Sequence, residues 1–164
     1  MKVSIGRSVR GSYVLLVEMP RVRRIRIGAL GEVEFPRGFY AYAGSARAGL
    51  QARLNRHLRR TKSTRWHIDY LLKEGRVKGF VYASTKERLE CRLAQRLEEI
   101  FGSHTGFGSG DCRCPSHLFF SESLEELIEN SREIFRNLLK GSEPFTEIVE
   151  PPSAHDSYLL ITFC

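Results

Sequence analysis

Two short tyrosine motifs carry residues whose chemistry suits a reaction. Gly11-Ser12-Tyr13 opens one strand-like segment, and Tyr42-Ala43-Gly44-Ser45 closes another. A phenol can orient a water molecule, or deprotonate it if a cation lowers its ordinary pKa of about 10. A glycine lets the backbone run close to a ligand. Arg53 follows Gly44 after nine positions, and His57 lies one helical turn beyond it. An arginine there can neutralise phosphate charge, and a histidine can move a proton or bind phosphate.

Arg53, Arg56, His57 and Arg60 fall on one face of a helix predicted over residues 50–60, beside an apolar face of Leu50, Leu54 and Leu58. Arg47, Lys62 and Arg65 flank it, and Arg21-Val-Arg-Arg-Ile-Arg26 lies upstream. Arginine outnumbers lysine by 20 to 6, and the guanidinium fork matches phosphate oxygens. A basic stripe is often only a solvated face. Here Tyr13, Phe39, Tyr40, Tyr42 and Trp66 are interleaved with the basic residues, a composition suited to a nucleic-acid backbone with local base contacts.

Glu90 sits at the edge of the apolar stripe of a helix predicted over 85–101. It could pair with an arginine, or serve as a carboxylate ligand for Mg²⁺ or Mn²⁺; periodicity leaves both open. Cys112-x-Cys114-x-x-His117 gathers three potential metal ligands, with Cys91 or His104 as a fourth. Zn²⁺ favours nitrogen and sulfur donors, but Cys-x-Cys is tighter than the usual spacing. The spacing therefore favours thiols that merely pack the loop. His67 and Asp69 face different sides of a helix, which speaks against a catalytic pair and places them at the edge of a cleft.

These residues need a scaffold. Residues 12–19 are β-branched and aromatic and stop at Pro20, a strand with a breaker. Segments 23–27 and 32–35, joined by the turn 28–31, predict a hairpin. Strands are expected at 39–43 and 77–84, helices at 50–60, 85–101 and 123–140, and a Gly/Ser-rich loop at 102–116. Residues 157–163 could add an edge strand. The expected fold is α/β, a small mostly antiparallel sheet flanked by helices. A domain boundary is placed near residue 122, with a C-terminal helix and irregular tail over 123–164.

Charge sharpens this layout. Residues 1–82 hold 18 Lys/Arg and 5 Asp/Glu, whereas 83–164 hold 8 and 14. The basic half suggests a polyanion partner. No apolar run is long enough for a membrane span or follows the N-terminus as a signal would, which excludes a membrane partner. Four cysteines without an export signal predict a reducing cytoplasm.

In order, Tyr13, Tyr42, Gly44, Arg53, His57, the strand at 77–84 and Glu90 resemble the GIY-YIG nuclease superfamily, over about residues 10–102. Gly38-Phe-Tyr-Ala-Tyr-Ala-Gly-Ser-Ala46, Trp66-His-Ile-Asp-Tyr-Leu-Leu72 and Gly106-Phe-Gly-Ser-Gly-Asp-Cys-Arg-Cys-Pro-Ser-His-Leu118 are similar to a prokaryotic family of unassigned function within it. Ser12 and Ala43 replace the usual isoleucines, and the hairpin at 21–35 lengthens the connection between motifs. The resemblance implies a DNA endonuclease using one Mg²⁺ or Mn²⁺ ion. It implies Glu90 as metal ligand, with Glu87 as the fallback, and Arg53 stabilising the phosphate. Tyr13, Tyr42 and His57 would handle water and proton. Gly44, Ser45, Arg47, Arg56, Arg60, Lys62, Arg65 and His67 are the expected substrate contacts. DNA is favoured over RNA. The alternatives are a nucleic-acid-binding module without catalysis and a protein-interaction module using the acidic helix 123–140.

Overall fold

The computed structural model describes residues 4–6, 8–149 and the backbone of 160–163. Its centre is β1 (Gly11–Met19), whose side chains are nearly all buried because both neighbours and both faces are covered. β4 (Gly38–Ala46) and β5 (Arg76–Ser84) flank it antiparallel. β6 (Gly102–Ser103), β7 (Leu118–Ser121), β8 (Phe145–Val149) and β9 (Leu160–Phe163) extend the sheet in the order β6-β7-β4-β1-β5-β8-β9. Every pairing in it is antiparallel. β2 (Arg23–Arg26) and β3 (Glu32–Phe35) form the expected hairpin as a separate two-stranded sheet.

Alternation along β1 sorts the core into two layers. Tyr13, Leu15, Val17 and Met19 face α1 (Leu50–Leu58), α2 (His67–Leu71) and the hairpin, where Leu50, Leu54, Ile68, Leu71, Ile27 and Phe35 complete the packing. Val14 and Leu16 face α3 (Glu90–Glu98) and α4 (Leu124–Leu138), which contribute Leu93, Leu97, Leu127, Ile134 and Phe135. α4 begins at Ser123, whose Oγ accepts the Glu126 N–H at 3.2 Å, with Glu125 and Glu126 in the positive first turn.

Three expectations need correction. The helix expected over 85–101 begins only at Glu90, because Ser12 Oγ takes the Leu89 N–H at 3.1 Å and fixes the chain there. The loop expected over 102–116 is bracketed by β6 and β7, both too short to show a period of two. Nor is the tail after the C-terminal helix wholly irregular: β8 pairs with β5 there, while α4 buries Leu127 and Phe135 in the same core as β1. The edge strand is present as β9; residues 157–159 of that expectation lie outside the described residues. Among the described residues, no helix is long and apolar enough to cross a membrane.

Candidate functional site

The register of β1 and β4 brings the two tyrosine motifs together. Tyr13 stands opposite Gly44, and Leu15 opposite Tyr42, so both phenols lie on the α1 side of the sheet. Tyr13 is laid across its neighbour, and a Cβ on Gly44 would sit 2.5 Å from its ring and hydroxyl. Gly44 therefore makes room for Tyr13 itself, rather than for a substrate as its motif suggested. Gly108, at φ +70°, does the same for Tyr42, whose ring lies 2.8 Å from where a Cβ would be. Gly44→Ala is expected to lower stability by about 1–3 kcal/mol, the usual range for overpacking. Unchanged urea unfolding would show that the Tyr13 ring moves aside freely.

α1 delivers the histidine and the arginine. His57 is 2% exposed, and its Nε2 lies 2.8 Å from Tyr13 Oη. The Tyr42 ring meets His57 edge-on at 6.5 Å between centroids. Burial pushes the Tyr13 phenol above its ordinary range, while the charge and hydrogen bond of Arg53 pull the other way and Glu90 adds to the rise. Tyr42 is also raised by burial, then by Tyr13 and Glu90, against Arg53. Tyr13 and Tyr42 both meet His57, and the charges of Arg53 and Glu90 reach both phenols. Both tyrosines are neutral at pH 7.

Burial, then Lys62 and Arg53, bring the His57 pKa down to about 3. In the unfolded chain the ring protonates near 6.5. Between those values the unfolded chain binds more protons, so stability falls as pH drops from about 6.5 toward 3. His57→Gln is expected to flatten that part of the stability profile, measured by urea unfolding at successive pH values. An unchanged slope would assign the acid loss to other groups.

The basic face of α1 divides into anchored and free residues. Arg56 grips Asp69 through both oxygens, at 2.7 and 3.0 Å, and donates to the Ser63 carbonyl at 2.9 Å. Asp69 Oδ2 also accepts the backbone N–H groups of Arg65 and Trp66, at 2.9 and 3.0 Å. The guanidiniums of Arg53 and Arg56 lie 4.4 and 4.2 Å from the centre of the Trp66 ring, within cation–π range. Lys62 Nζ donates to the carbonyls of His57 and Arg59. Arg56 and Lys62, expected as substrate contacts, therefore hold α1 to the segment before α2. Arg47, Arg60 and Arg65 remain exposed. Asp69, expected at the edge of a cleft, is a buried brace, 1% exposed. His67 accepts the Gly108 N–H on Nδ1 at 3.0 Å and so holds the glycine loop under Tyr42.

Ser45, another expected contact, points to the opposite side of the sheet. Its Oγ lies 2.9 Å from Ser12 Oγ, which in turn seats Leu89 at the start of α3. This pair aims Glu90. The Glu90 side chain is 16% exposed and pairs with Arg88. Its charge also reaches Tyr13, Tyr42 and His117. A single carboxylate is a hard donor, which fits Mg²⁺ or Mn²⁺ bound largely through water and substrate. Arg88, an exposed side chain, is the cation that such an ion would replace.

Beside Glu90, the sulfurs of Cys91, Cys112 and Cys114 and the ring of His117 form a second cluster, with all ligand atoms within 4.8 Å of one another. This cluster could hold a metal ion. Spacing alone favoured thiols that pack the loop and left zinc as the alternative; the arrangement gives that alternative a fourth ligand. His104, the alternative fourth ligand, instead stacks on Phe35 at 4.9 Å. The sequence offered Cys91 and His104 alike as the fourth ligand; spacing could not choose, because Cys91 is 26 positions from His117. The one signal was the presence of a cysteine beside the carboxylate already singled out.

No curated protein and no solved structure matches this chain. One family model does, over residues 12–140, from β1 through the end of α4, so it spans the tyrosine motifs, α1, Glu90 and the cysteine cluster. The chain belongs to the family described as "Domain of unknown function DUF123".

Proposed function

We propose that this protein is a GIY-YIG-type endonuclease that hydrolyses DNA phosphodiester bonds with a divalent metal ion. The observation that carries this reading is the meeting of Tyr13 and Tyr42 at His57, within reach of the Arg53 and Glu90 charges and beside the exposed arginines of α1 and its flanks. Glu90 would hold Mg²⁺ or Mn²⁺, which when bound supplies Lewis-acid stabilisation of phosphate oxygens.

The chain's own residues account for the rest. Arg47, Arg60 and Arg65 meet flanking phosphates without base preference. Arg53, held over the Trp66 ring, opposes the charge that grows on the non-bridging oxygens; removing such a preorganised donor costs about 10²–10³ in rate. Tyr13 donates its hydroxyl proton to the neutral His57 and leaves its oxygen lone pairs to orient the attacking water. An arriving phosphodiester is negative, so it offsets the Arg53 and Lys62 charges that hold His57 neutral and makes the ring a better proton acceptor. Tyr42 hydrogen-bonds the phosphate or the water. Water forms the new P–O bond and gives its proton to the Tyr13–His57 pair, while the opposite P–O bond breaks and its oxygen leaves on the departing strand, taking a proton from solvent.

The test is nicking of supercoiled plasmid and of branched DNA with Mg²⁺ or Mn²⁺. Metal-dependent nicking by the wild type, reduced about 10²–10³-fold in Arg53→Ala, is expected. Steeply salt-dependent binding without nicking would leave a DNA-binding module on the same scaffold. Absence of both would point to the protein-interaction reading. Either result overturns the nuclease.

A further inference from the structure

The proposed cleavage chemistry uses none of the three thiols. We propose that Cys91, Cys112, Cys114 and His117 form a closed, four-coordinate Zn²⁺ site that clamps the loop between β6 and β7 to the start of α3. Three sulfurs and one imidazole nitrogen are a soft donor set, which selects Zn²⁺ over the hard cations that Glu90 suits. The spacing between donors agrees. His117 Nε2 lies 3.4 Å from Cys112 Sγ and 4.0 Å from Cys91 Sγ. On a tetrahedral zinc with ordinary bond lengths, a sulfur and a nitrogen are about 3.6 Å apart.

The imidazole is already oriented for this role. The His117 N–H donates to the Phe107 carbonyl at 2.8 Å, and its carbonyl accepts the Ala43 N–H at 3.0 Å. These two backbone bonds fix the residue that carries the imidazole against the central sheet and the glycine loop. Nε2 is the nitrogen turned toward the sulfurs.

The loop also needs a clamp. Residues 104–117 contain glycines at 106, 108 and 110 and form no helix or strand, yet Gly108 must stay beneath Tyr42. The only ligand from outside the loop is Cys91, the second residue of α3 and the neighbour of Glu90. One ion would therefore join the support of Tyr42 to the support of Glu90. With four protein ligands the site leaves no open position for water, which marks it as structural. It is distinct from any ion at Glu90, and binding of zinc does not depend on the nuclease reading.

The experiment measures metal in the full-length chain, purified with reductant, loaded with Zn²⁺ and passed through gel filtration. About one zinc per chain is expected. The cobalt-substituted protein should show the intense visible bands of tetrahedral coordination with thiolate charge transfer. Cys112→Ser should lose the stoichiometric ion, as should His117→Gln. His117→Cys should retain it, with more thiolate charge transfer in the cobalt form; this variant keeps the test informative if the others unfold. Glu90→Gln should still hold one zinc. Chelation should lower the thermal midpoint of the wild type, and Zn²⁺ should restore it. Less than stoichiometric zinc in the loaded wild type overturns the proposal, as does octahedral cobalt. So does full zinc retention in Cys112→Ser, or a disulfide between these cysteines in the reduced protein. Plasmid nicking plays no part in any of these readouts, so a failed zinc site and a failed nuclease are separable.

Discussion

Glu90→Gln is expected to lower metal-dependent cleavage by about 10²–10³-fold or more, with little change in DNA affinity or stability. Gln keeps the size of the side chain and an oxygen for hydrogen bonding, but removes the charge that a hard cation requires. Its partner Arg88 is an exposed side chain, and exposed pairs contribute little to stability. The sign of the secondary effect makes the test sharp. Glu90 disfavours ionisation of both Tyr13 and Tyr42, so neutralising it would make each phenol easier to deprotonate. If Glu90 acted only on the tyrosines, the variant would keep or gain activity. If it holds the ion, activity falls and added Mg²⁺ restores little of it. Single-turnover cleavage across a Mg²⁺ titration, with binding measured by fluorescence anisotropy, decides between the two; unchanged cleavage removes Glu90 from the site.

Asp69→Ala is expected to cost about 3–5 kcal/mol of stability, the range for removing one partner of a buried ion pair. Asp69 is almost fully buried and the Arg56 side chain is mostly so. Without the carboxylate, Arg56 keeps its charge in a poor solvent environment, and the N–H groups of Arg65 and Trp66 lose their acceptor. Truncating both residues together should cost less than the sum of the single changes, because the second removes the stranded charge. The effect should reach the reaction as well. Trp66 carries Arg53 on its ring beside Arg56, so loosening this brace frees the arginine assigned to the phosphate. Urea unfolding of Asp69→Ala, Arg56→Ala and the double variant measures the coupling; additive losses would show that the pair is not a unit.

Much of this scaffold was legible locally. The apolar run before Pro20, the hairpin around residues 28–31 and the acidic amphipathic helix each announce themselves through neighbours a few positions apart. So does the juxtaposition of Arg53 and His57, one helical turn from each other on α1. The order of tyrosines, arginine and glutamate was also readable, and it named the residues expected to meet.

Side-chain destination was not legible in the same way. Arg56 and Arg60 both lie on the basic face of one predicted helix, yet Arg56 is spent on Asp69 and Arg60 is exposed. Ser45 adjoins Gly44, but a strand turns successive side chains to opposite faces, so it meets Ser12 on the α3 side. Cys112, Cys114 and His117 announced themselves by proximity, whereas the choice of Cys91 over His104 beside them was made only when α3 was seated against β1.

By itself the sequence determined the strands of the tyrosine motifs, the hairpin, the amphipathic helices and the segregation of basic charge, because these follow from local pattern and composition; the short β6 and β7, and β8 in the tail, carry no such pattern. Only the tertiary structure decided that Gly44 yields its space to Tyr13, that Asp69 is a brace, and that a carboxylate and a Cys3His cluster lie side by side at the start of one helix. These depend on strand register and helix seating over tens of residues, where a shift of a single position would send each side chain to the other face.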